Sequence, residues 1–475
     1  MHLLNLQTKP MIKAVETRAE RVIAERIAAF EQLDSMQQLP VSELRLLAEY
    51  AVLRTFESHA IIAAEQTIGQ HLFLILSGNI EQTMRDADGT EITLALLGRG
   101  DLFGEGGLFG LRYRRITARA TSRSYVLQFR YTDIQNNKTT LSQFLALLHH
   151  RFRERLLHTT LARVPLLASL NPIERLSLSE HLEAMQVGKG ETILQAGNPS
   201  QGLYIIAEGQ ATVVDQEHTI AVLEPGDVFG ETFLFNDAQH MSAVVAFTAV
   251  HLLFLPQHAF RQLQARQSPI AERIRMLAQQ RQQTNPDSEQ IRITEQLVQS
   301  GLVRGRLALA RETTLCAPDC HRCEDACGAR FGKSRLDFGG LSFGKYETAD
   351  TCRQCRWSAE CVEACPEDAF RLNRDGYLVV TDRCIGCGAC VTACQYSAIN
   401  QVPFYAPTSS LLDWVLRHVT SQPPTLMRAN KCDACDGHED QACISACPTG
   451  ALQWIPVEVL AQSKAWQPIE LQVAS

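Results

Sequence analysis

No cysteine occurs in the first 315 residues of this 475-residue chain; all sixteen lie between Cys316 and Cys447. Disulfide frameworks belong to short secreted chains, so this distribution excludes one. The N-terminal text MHLLNLQTKPMIK lacks the uninterrupted apolar core of a secretory signal. No apolar run approaches the ~18 residues of a membrane span; LLDWVLRHV is too short and carries Asp413 and Arg417. A large charge imbalance is also missing. The formal net charge of −7 is mild and of the wrong sign for a polyanion, which excludes nucleic acid as the expected partner. Gly98-Arg99-Gly100 begins like a dinucleotide-binding turn, but Phe103 stands where the third glycine is needed and the surrounding text is strand-rich. No catalytic triad and no flavin or nicotinamide motif is found. The 45% hydrophobic and 20% charged content is that of an ordinary globular protein, and the length predicts three or four domains.

The cysteines fall into four quartets: Cys316, Cys320, Cys323 and Cys327; Cys352, Cys355, Cys361 and Cys365, followed by Pro366; Cys384, Cys387, Cys390 and Cys394; and Cys432, Cys435, Cys443 and Cys447, followed by Pro448. The third has the C-x2-C-x2-C-x3-C spacing of bacterial ferredoxins, in which three close thiolates grip one 4Fe-4S cubane and the fourth reaches another cluster. Zinc would use pairs of C-x2-C knuckles, which the second and fourth quartets contain. It leaves unexplained the cysteine that closes every quartet with the same spacing. Thiolates kept for iron imply a reducing compartment, and the expected location is the cytoplasm.

Upstream, residues 11–34 predict an amphipathic lead-in helix, with Val15, Ala19, Val22, Ile23, Ile27 and Phe30 at helical spacing. From about Ala51 short β-prone runs alternate with glycine, and Asp88-Gly89 signals a hairpin. Such spacing predicts an antiparallel barrel or jelly roll. The pattern then returns: LLGRGDLFGEGGLF is matched by VLEPGDVFGETFLF, with a period of roughly 125 residues, too long for a solenoid and therefore a duplicated domain. A helix near 257–282 should close the second copy, and RQQTNPDSEQ reads as a linker.

These repeats resemble the cyclic-nucleotide-binding domain of the catabolite activator family and of cyclic-nucleotide-regulated kinases and channels. The resemblance rests on Gly100-Asp101-Leu102-Phe103-Gly104-Glu105 and on Arg114-Arg115-Ile116-Thr117-Ala118-Arg119-Ala120. It implies that Gly104 lets backbone approach the ligand, that Glu105 accepts from the ribose 2′-hydroxyl, and that Arg114 forks onto the cyclic phosphate; counting from Glu105 instead makes Arg115 the phosphate partner. Ile116 is bulkier than the alanine the family prefers. In the second copy Gly230-Glu231 is kept, but Met241 replaces the arginine, and an anion without a countercharge is costly. The expectation is at most one cyclic nucleotide, cyclic AMP or cyclic GMP, in the first copy, with a purely structural barrel as the alternative. The family's helix-turn-helix domain has no counterpart in the 33 residues before Cys316.

The cysteine-rich third resembles the four-cluster electron-transfer subunits of the dimethyl-sulfoxide reductase, formate dehydrogenase and formate hydrogenlyase type, through CRQCRWSAECVEACPEDAF, DRCIGCGACVTACQYSAI and KCDACDGHEDQACISACPTGAL. That resemblance implies exchanged fourth ligands. Cys352, Cys355 and Cys361 would take Cys394, and Cys384, Cys387 and Cys390 would take Cys365. Cys316, Cys320 and Cys323 would take Cys447, and Cys432, Cys435 and Cys443 would take Cys327. The first quartet departs by the three residues between Cys316 and Cys320 and by Gly328, and Gln395 replaces a proline. Trp357 and Trp454 read as core aromatics.

The expected architecture is multidomain α+β: an N-terminal helix (1–34), two β-roll (jelly-roll) cyclic-nucleotide-binding-like domains (35–160 and a degenerate 161–282), a linker (283–315), a ferredoxin-like domain with four 4Fe-4S clusters (316–456) and a tail (457–475). The expected function is electron transfer between redox partners, as a component of an oxidoreductase rather than a complete catalyst. Its expected partner is a separate flavin or molybdopterin oxidoreductase subunit. The rivals are a redox-sensing, cyclic-nucleotide-responsive regulator and an assembly protein whose barrels only dock.

Overall fold

The computed structural model describes residues 8–85, 90–164, 178–199, 201–231, 239–265, 269–283, 287–357, 359–404 and 426–461. The hairpin signal at Asp88-Gly89, the 413–417 segment and most of the tail lie outside them. The chain divides into two compact units, Met1–Thr159 and Thr160–Ser475. No helix among the described residues is long and apolar enough to cross a membrane.

The first unit opens with the helix Thr8–Glu31. Of its expected apolar face, among the residues whose burial is described, Phe30 is fully buried and Ile23 and Ile27 pack on the core, while Val22 remains exposed. The β-roll that follows is two four-stranded antiparallel sheets. One runs Val52–Phe56, Ser124–Arg130, His71–Ser77, Leu102–Phe103 in spatial order; the other runs Ile61–Ala63, Thr117–Ala120, Ile80–Arg85, Glu91–Leu97. Alternating side chains fill the space between them, and Phe73 stacks on Phe103 with centroids 4.9 Å apart. Helices Val41–Tyr50 and Ser142–Arg163 cover the outside of the roll through Leu44, Leu47, Phe144 and Leu148.

The duplication read from the text is reproduced strand for strand. In the second unit Glu183–Val187, Val250–Pro256, Gly202–Glu208 and Val228–Phe229 repeat the first order, and Thr192–Leu194, Ala243–Ala246, Ala211–Asp215 and His218–Leu223 the second. Two helices, Gln257–Ala265 and Pro269–Gln283, stand where a single closing helix was expected. Proline is tolerated only in a first helical turn, so Pro269 begins a new helix rather than continuing one.

Residues 283–315, expected as a linker, are largely ordered structure. Asp287 caps the helix Ser288–Gln299 with a reciprocal bond from Gln290, a capping box. The strand Leu307–Glu312 then pairs with both Tyr346–Asp350 and Leu452–Pro456, in a four-stranded sheet completed by Asp337–Phe343. The cysteine-rich region hangs from this sheet, with two small hairpins, Phe370–Leu372 with Leu378–Val380 and Asn400–Phe404 with Leu426–Asn430.

One long-range cap orders the first unit. The buried Glu43 carboxylate accepts from the backbone N–H of Phe144 at 2.8 Å and of Gln143 at 3.1 Å, satisfying donors that a helix N-terminus leaves orphaned. Glu43→Ala is expected to lower unfolding free energy by about 1–3 kcal/mol, the cost of orphaning buried donors. Denaturant titration, with Glu49→Ala on the exposed face as control, measures it.

Candidate functional site

Each cysteine quartet adopts one local design. The third cysteine is the second residue of a helix in all four: Cys323 in Arg322–Phe331, Cys361 in Glu360–Glu363, Cys390 in Ala389–Ala393 and Cys443 in Ala442–Ser445. The closing cysteine comes four residues later, just beyond the short helices and inside the longer first one. The irregular Cys316–Cys320 spacing therefore leaves the Cys323–Cys327 end of the first quartet in register with the others. The helices pair across quartets: the first packs on the fourth, and the second on the third.

Three closing thiols, Cys365, Cys394 and Cys327, have thiols of another quartet as neighbours. Cys365 lines one cavity with Cys384, Cys387 and Cys390. Burial pushes the Cys355 thiol up to about 12, with Arg304 opposing and Cys352 and Cys394 adding to the rise. Cys361 is raised by burial and by Cys352, Cys355 and Cys394, with Lys431 opposing. Cys443 is pushed up to about 12 by burial and by Cys432, Cys327 and Cys435. In the first quartet, Arg311 lies 3.8 Å from the Cys316 Sγ and also acts on Cys323. Arg311 pairs with Leu452 across the sheet. Burial works against the Cys447 thiolate, but the N–H groups of Leu452, Thr449 and Ala451 more than offset it and hold Cys447 below the ordinary thiol range.

The donor set suits cubanes better than single ions. A tetrahedral zinc at Zn–S of about 2.3 Å needs sulfurs about 3.8 Å apart. Among the described residues no three Cys, His, Asp or Glu side chains converge closely enough to hold one ion. The cavity at Cys365, Cys384, Cys387 and Cys390 is walled by Phe370, Ile385 and Ala429, and backbone N–H groups point at sulfur, Ala369 to Cys365 at 3.2 Å and Arg335 to Cys327 at 3.4 Å. Such bonds are a protein's means of tuning cluster potential. Gly386 shapes the turn. Its φ is +70°, and a Cβ there would clash with the Met427 carbonyl, so only glycine fits.

The quartets also approach one another. Cys432 is an electrostatic neighbour of Cys352, and Gln354 donates to the Cys432 carbonyl at 2.8 Å. The buried Lys431 ammonium donates to the carbonyls of Leu378 and of Cys432, the latter at 2.8 Å. Trp357 is buried, and Trp454 donates to Gln441 at 2.9 Å while resting against Tyr377.

The chain matches the family model of the cyclic nucleotide-binding domain twice, at residues 53–137 and 184–267, and that of the 4Fe-4S dicluster domain at residues 344–395. It is 38% identical over 114 residues to a probable iron-sulfur subunit of the Frd operon of Proteus vulgaris, covering 24% of this chain and 68% of that protein. It belongs to the 4Fe-4S iron-sulfur subunit family, joined here to tandem cyclic nucleotide-binding domains. Among other relatives of its iron-sulfur part is the electron transport protein HydN of Escherichia coli K12, 38% identical over 119 residues, 25% of this chain and 64% of that one. A cAMP-dependent protein kinase regulatory subunit of Hypocrea atroviridis is 34% identical over 111 residues, 23% of this chain and 24% of that one. The chain thus spans less than two thirds of the length of both.

In the first nucleotide-binding domain of this iron-sulfur family member, Gly104 has φ of +87° and a Cβ would meet the His71 carbonyl at 2.8 Å. Glu105 begins the short helix Glu105–Phe109. Its buried carboxylate pairs at 2.7 Å with Arg155, which also donates to the Leu102 carbonyl. The guanidinium of Arg114 lies 5.8 Å from the centroid of the Phe73 ring, and its Nε is buried without a hydrogen-bond partner among the described residues. Arg115 is partly buried and makes contacts of its own. Sequence reasoning missed Arg155 and Tyr131. The Tyr131 hydroxyl donates to the Gly104 carbonyl, and burial pushes it up to about 12, Arg114 opposing and Glu105 adding. In the second domain Met241 is 84% exposed and brings no charge.

Breaking a largely buried ion pair strands the remaining charge. Because Arg155 is partly exposed, Arg155→Met is expected to cost about 2–4 kcal/mol. Glu105→Gln with Arg155→Met should recover most of it, as denaturant titration of the three variants will show.

Proposed function

We propose that this protein is an electron relay with four 4Fe-4S clusters and a cyclic-nucleotide-responsive first domain. The observation that supports the reading is that Cys365, Cys394 and Cys327 have thiols of a neighbouring quartet around them, as the exchanged fourth ligand of a multi-cubane ferredoxin requires. Cys352, Cys355, Cys361 and Cys394 would hold one cluster, and Cys384, Cys387, Cys390 and Cys365 a second. Cys432, Cys435, Cys443 and Cys327 would hold a third, and Cys316, Cys320, Cys323 and Cys447 a fourth. Bound there, each cubane supplies a one-electron couple. The chain's own residues place the thiolates, exclude water through Phe370, Phe338 and Trp454, and set the local charge through Arg311, Lys431 and Arg304.

The names of the relatives, an electron transport protein and an iron-sulfur subunit, support a carrier working with a separate flavin or molybdopterin oxidoreductase subunit in a reducing compartment. In the first domain, Arg114, whose buried Nε lacks a hydrogen-bond partner among the described residues, offers a cation to a cyclic phosphate, and Glu105 an acceptor to a ribose hydroxyl. The second domain keeps Glu231 but lacks the cation.

Anaerobically purified protein is expected to carry about sixteen iron and sixteen acid-labile sulfide per chain, as four cubanes require. Zinc at two or more equivalents with little sulfide contradicts the reading. Cys365→Ala should disturb the centre held by Cys384, Cys387 and Cys390 and spare those of the first and fourth quartets, which spectroscopy of the reduced variant resolves.

Calorimetric titration should find at most one cyclic AMP or cyclic GMP per chain. Removing a charged hydrogen bond costs about 1.5–3 kcal/mol, roughly tenfold to hundredfold in affinity, so Arg114→Ala should weaken binding by at least that factor while Met241→Ala leaves it unchanged. Two sites per chain would refute the asymmetry between the domains, and no binding of either nucleotide would favour the docking-module reading.

A further inference from the structure

The second β-roll lies in the same compact unit as the cysteine quartets, and its contacts converge on one of them. Its strand His218–Leu223 packs against the helix Ser288–Gln299, and Val222 joins Ile293, Leu297, Leu302 and Val303 in one apolar cluster. Gln210 donates to the Val303 carbonyl at 2.7 Å and to Glu224 at 2.9 Å. Glu224 in turn faces Arg356 at 3.6 Å, beside Cys355.

The most direct link is Lys189, in the turn between strands Glu183–Val187 and Thr192–Leu194. Its ammonium donates to Glu360 at 2.9 Å and to Gln395 at 2.6 Å. These two residues adjoin Cys361 and Cys394, which belong to the same four-thiol set. Glu360 is also gripped by both terminal nitrogens of the fully buried Arg304, at 2.9 and 3.0 Å. Arg304 donates to the Trp357 carbonyl at 2.8 Å, and its own carbonyl accepts from Arg356 at 2.9 Å. With Arg304 balancing Glu360, Lys189 supplies the net positive charge of this trio.

We propose that the second β-roll is a working part of the redox unit: through Lys189 it places a positive charge beside the Cys352, Cys355, Cys361 and Cys394 centre and raises that centre's reduction potential. The inference rests on the reading that these thiols hold a 4Fe-4S cluster. One-electron reduction makes such a centre more negative, so a nearby cation favours the reduced form. Lys189 touches residues adjacent to ligands and acts through them as a positioning residue. Its side chain is 42% exposed, so the effect is modest and screened by salt.

The test is a mediated redox titration of the full-length holoprotein, followed by electron paramagnetic resonance, on the parent and on Lys189→Ala, Lys189→Glu and Lys189→Arg. Iron and sulfide are measured on each sample. In Lys189→Ala one centre should require a more negative potential, with its reduced-to-oxidised ratio falling about threefold to tenfold at fixed potential; tenfold corresponds to 59 mV for one electron. Lys189→Glu should shift it further, and Lys189→Arg should restore it. The other centres should stay put, and the shift should shrink at high salt. Unchanged potentials in both Lys189→Ala and Lys189→Glu, or an equal shift in all three variants, would overturn the proposal. A parent protein without iron and sulfide would instead overturn the cluster assignment on which it rests.

Discussion

The arrangement depends on one interaction: the closing thiols Cys365, Cys394 and Cys327 stand among thiols of a neighbouring quartet. The third thiol stands at the start of a helix and the closing one a turn later. On the proposed ligand sets, two quartets must fold against each other before either set is complete. This is why the helices pair first with fourth and second with third, and why the sheet joining Leu307–Glu312 to Leu452–Pro456 matters. It brings the start and the end of the cysteine-rich region side by side, as the partnership of the first and last quartets demands.

The two β-rolls share strand order but not circumstance. The first stands in a unit with its own helices, a Glu43-capped cover and a buried Arg114 Nε that has no hydrogen-bond partner among the described residues. The second lacks a cation at the corresponding point and spends its polar groups on the iron-sulfur part of the chain. On the proposed reading, duplication followed by such divergence lets one copy keep a ligand while the other becomes scaffold and electrostatic neighbour. Gln395, which stands where the resemblance leads one to expect proline, has a use in this arrangement: its side-chain carbonyl oxygen accepts from Lys189.

Features carried by spacing along the chain were legible. The quartets, the repeat of the glycine-punctuated strands and the loss of an arginine at Met241 could all be read because spacing along the chain carries them. The segment 283–315 was harder. Its polar start reads as linker, whereas the capping box and the pairing of Leu307–Glu312 depend on strands far away in sequence. Arg155, Tyr131, Arg304 and Lys189 were invisible for the same reason. Each is an ordinary residue type with no spacing signature, and its role arises from partners 27 to 206 positions distant. The break before Pro269 was readable in principle, since proline in a helix interior removes a hydrogen bond and clashes with the preceding turn.

The central claim is that all four quartets carry electrons, although the matched dicluster model spans only the second and third. Counting electrons tests it most directly. Stepwise reductive titration of the anaerobic holoprotein, with spins quantified at each step, should take up four electrons per chain in one-electron steps, one for each 4Fe-4S centre. Uptake that stops at two electrons per chain in fully iron-loaded protein would contradict it.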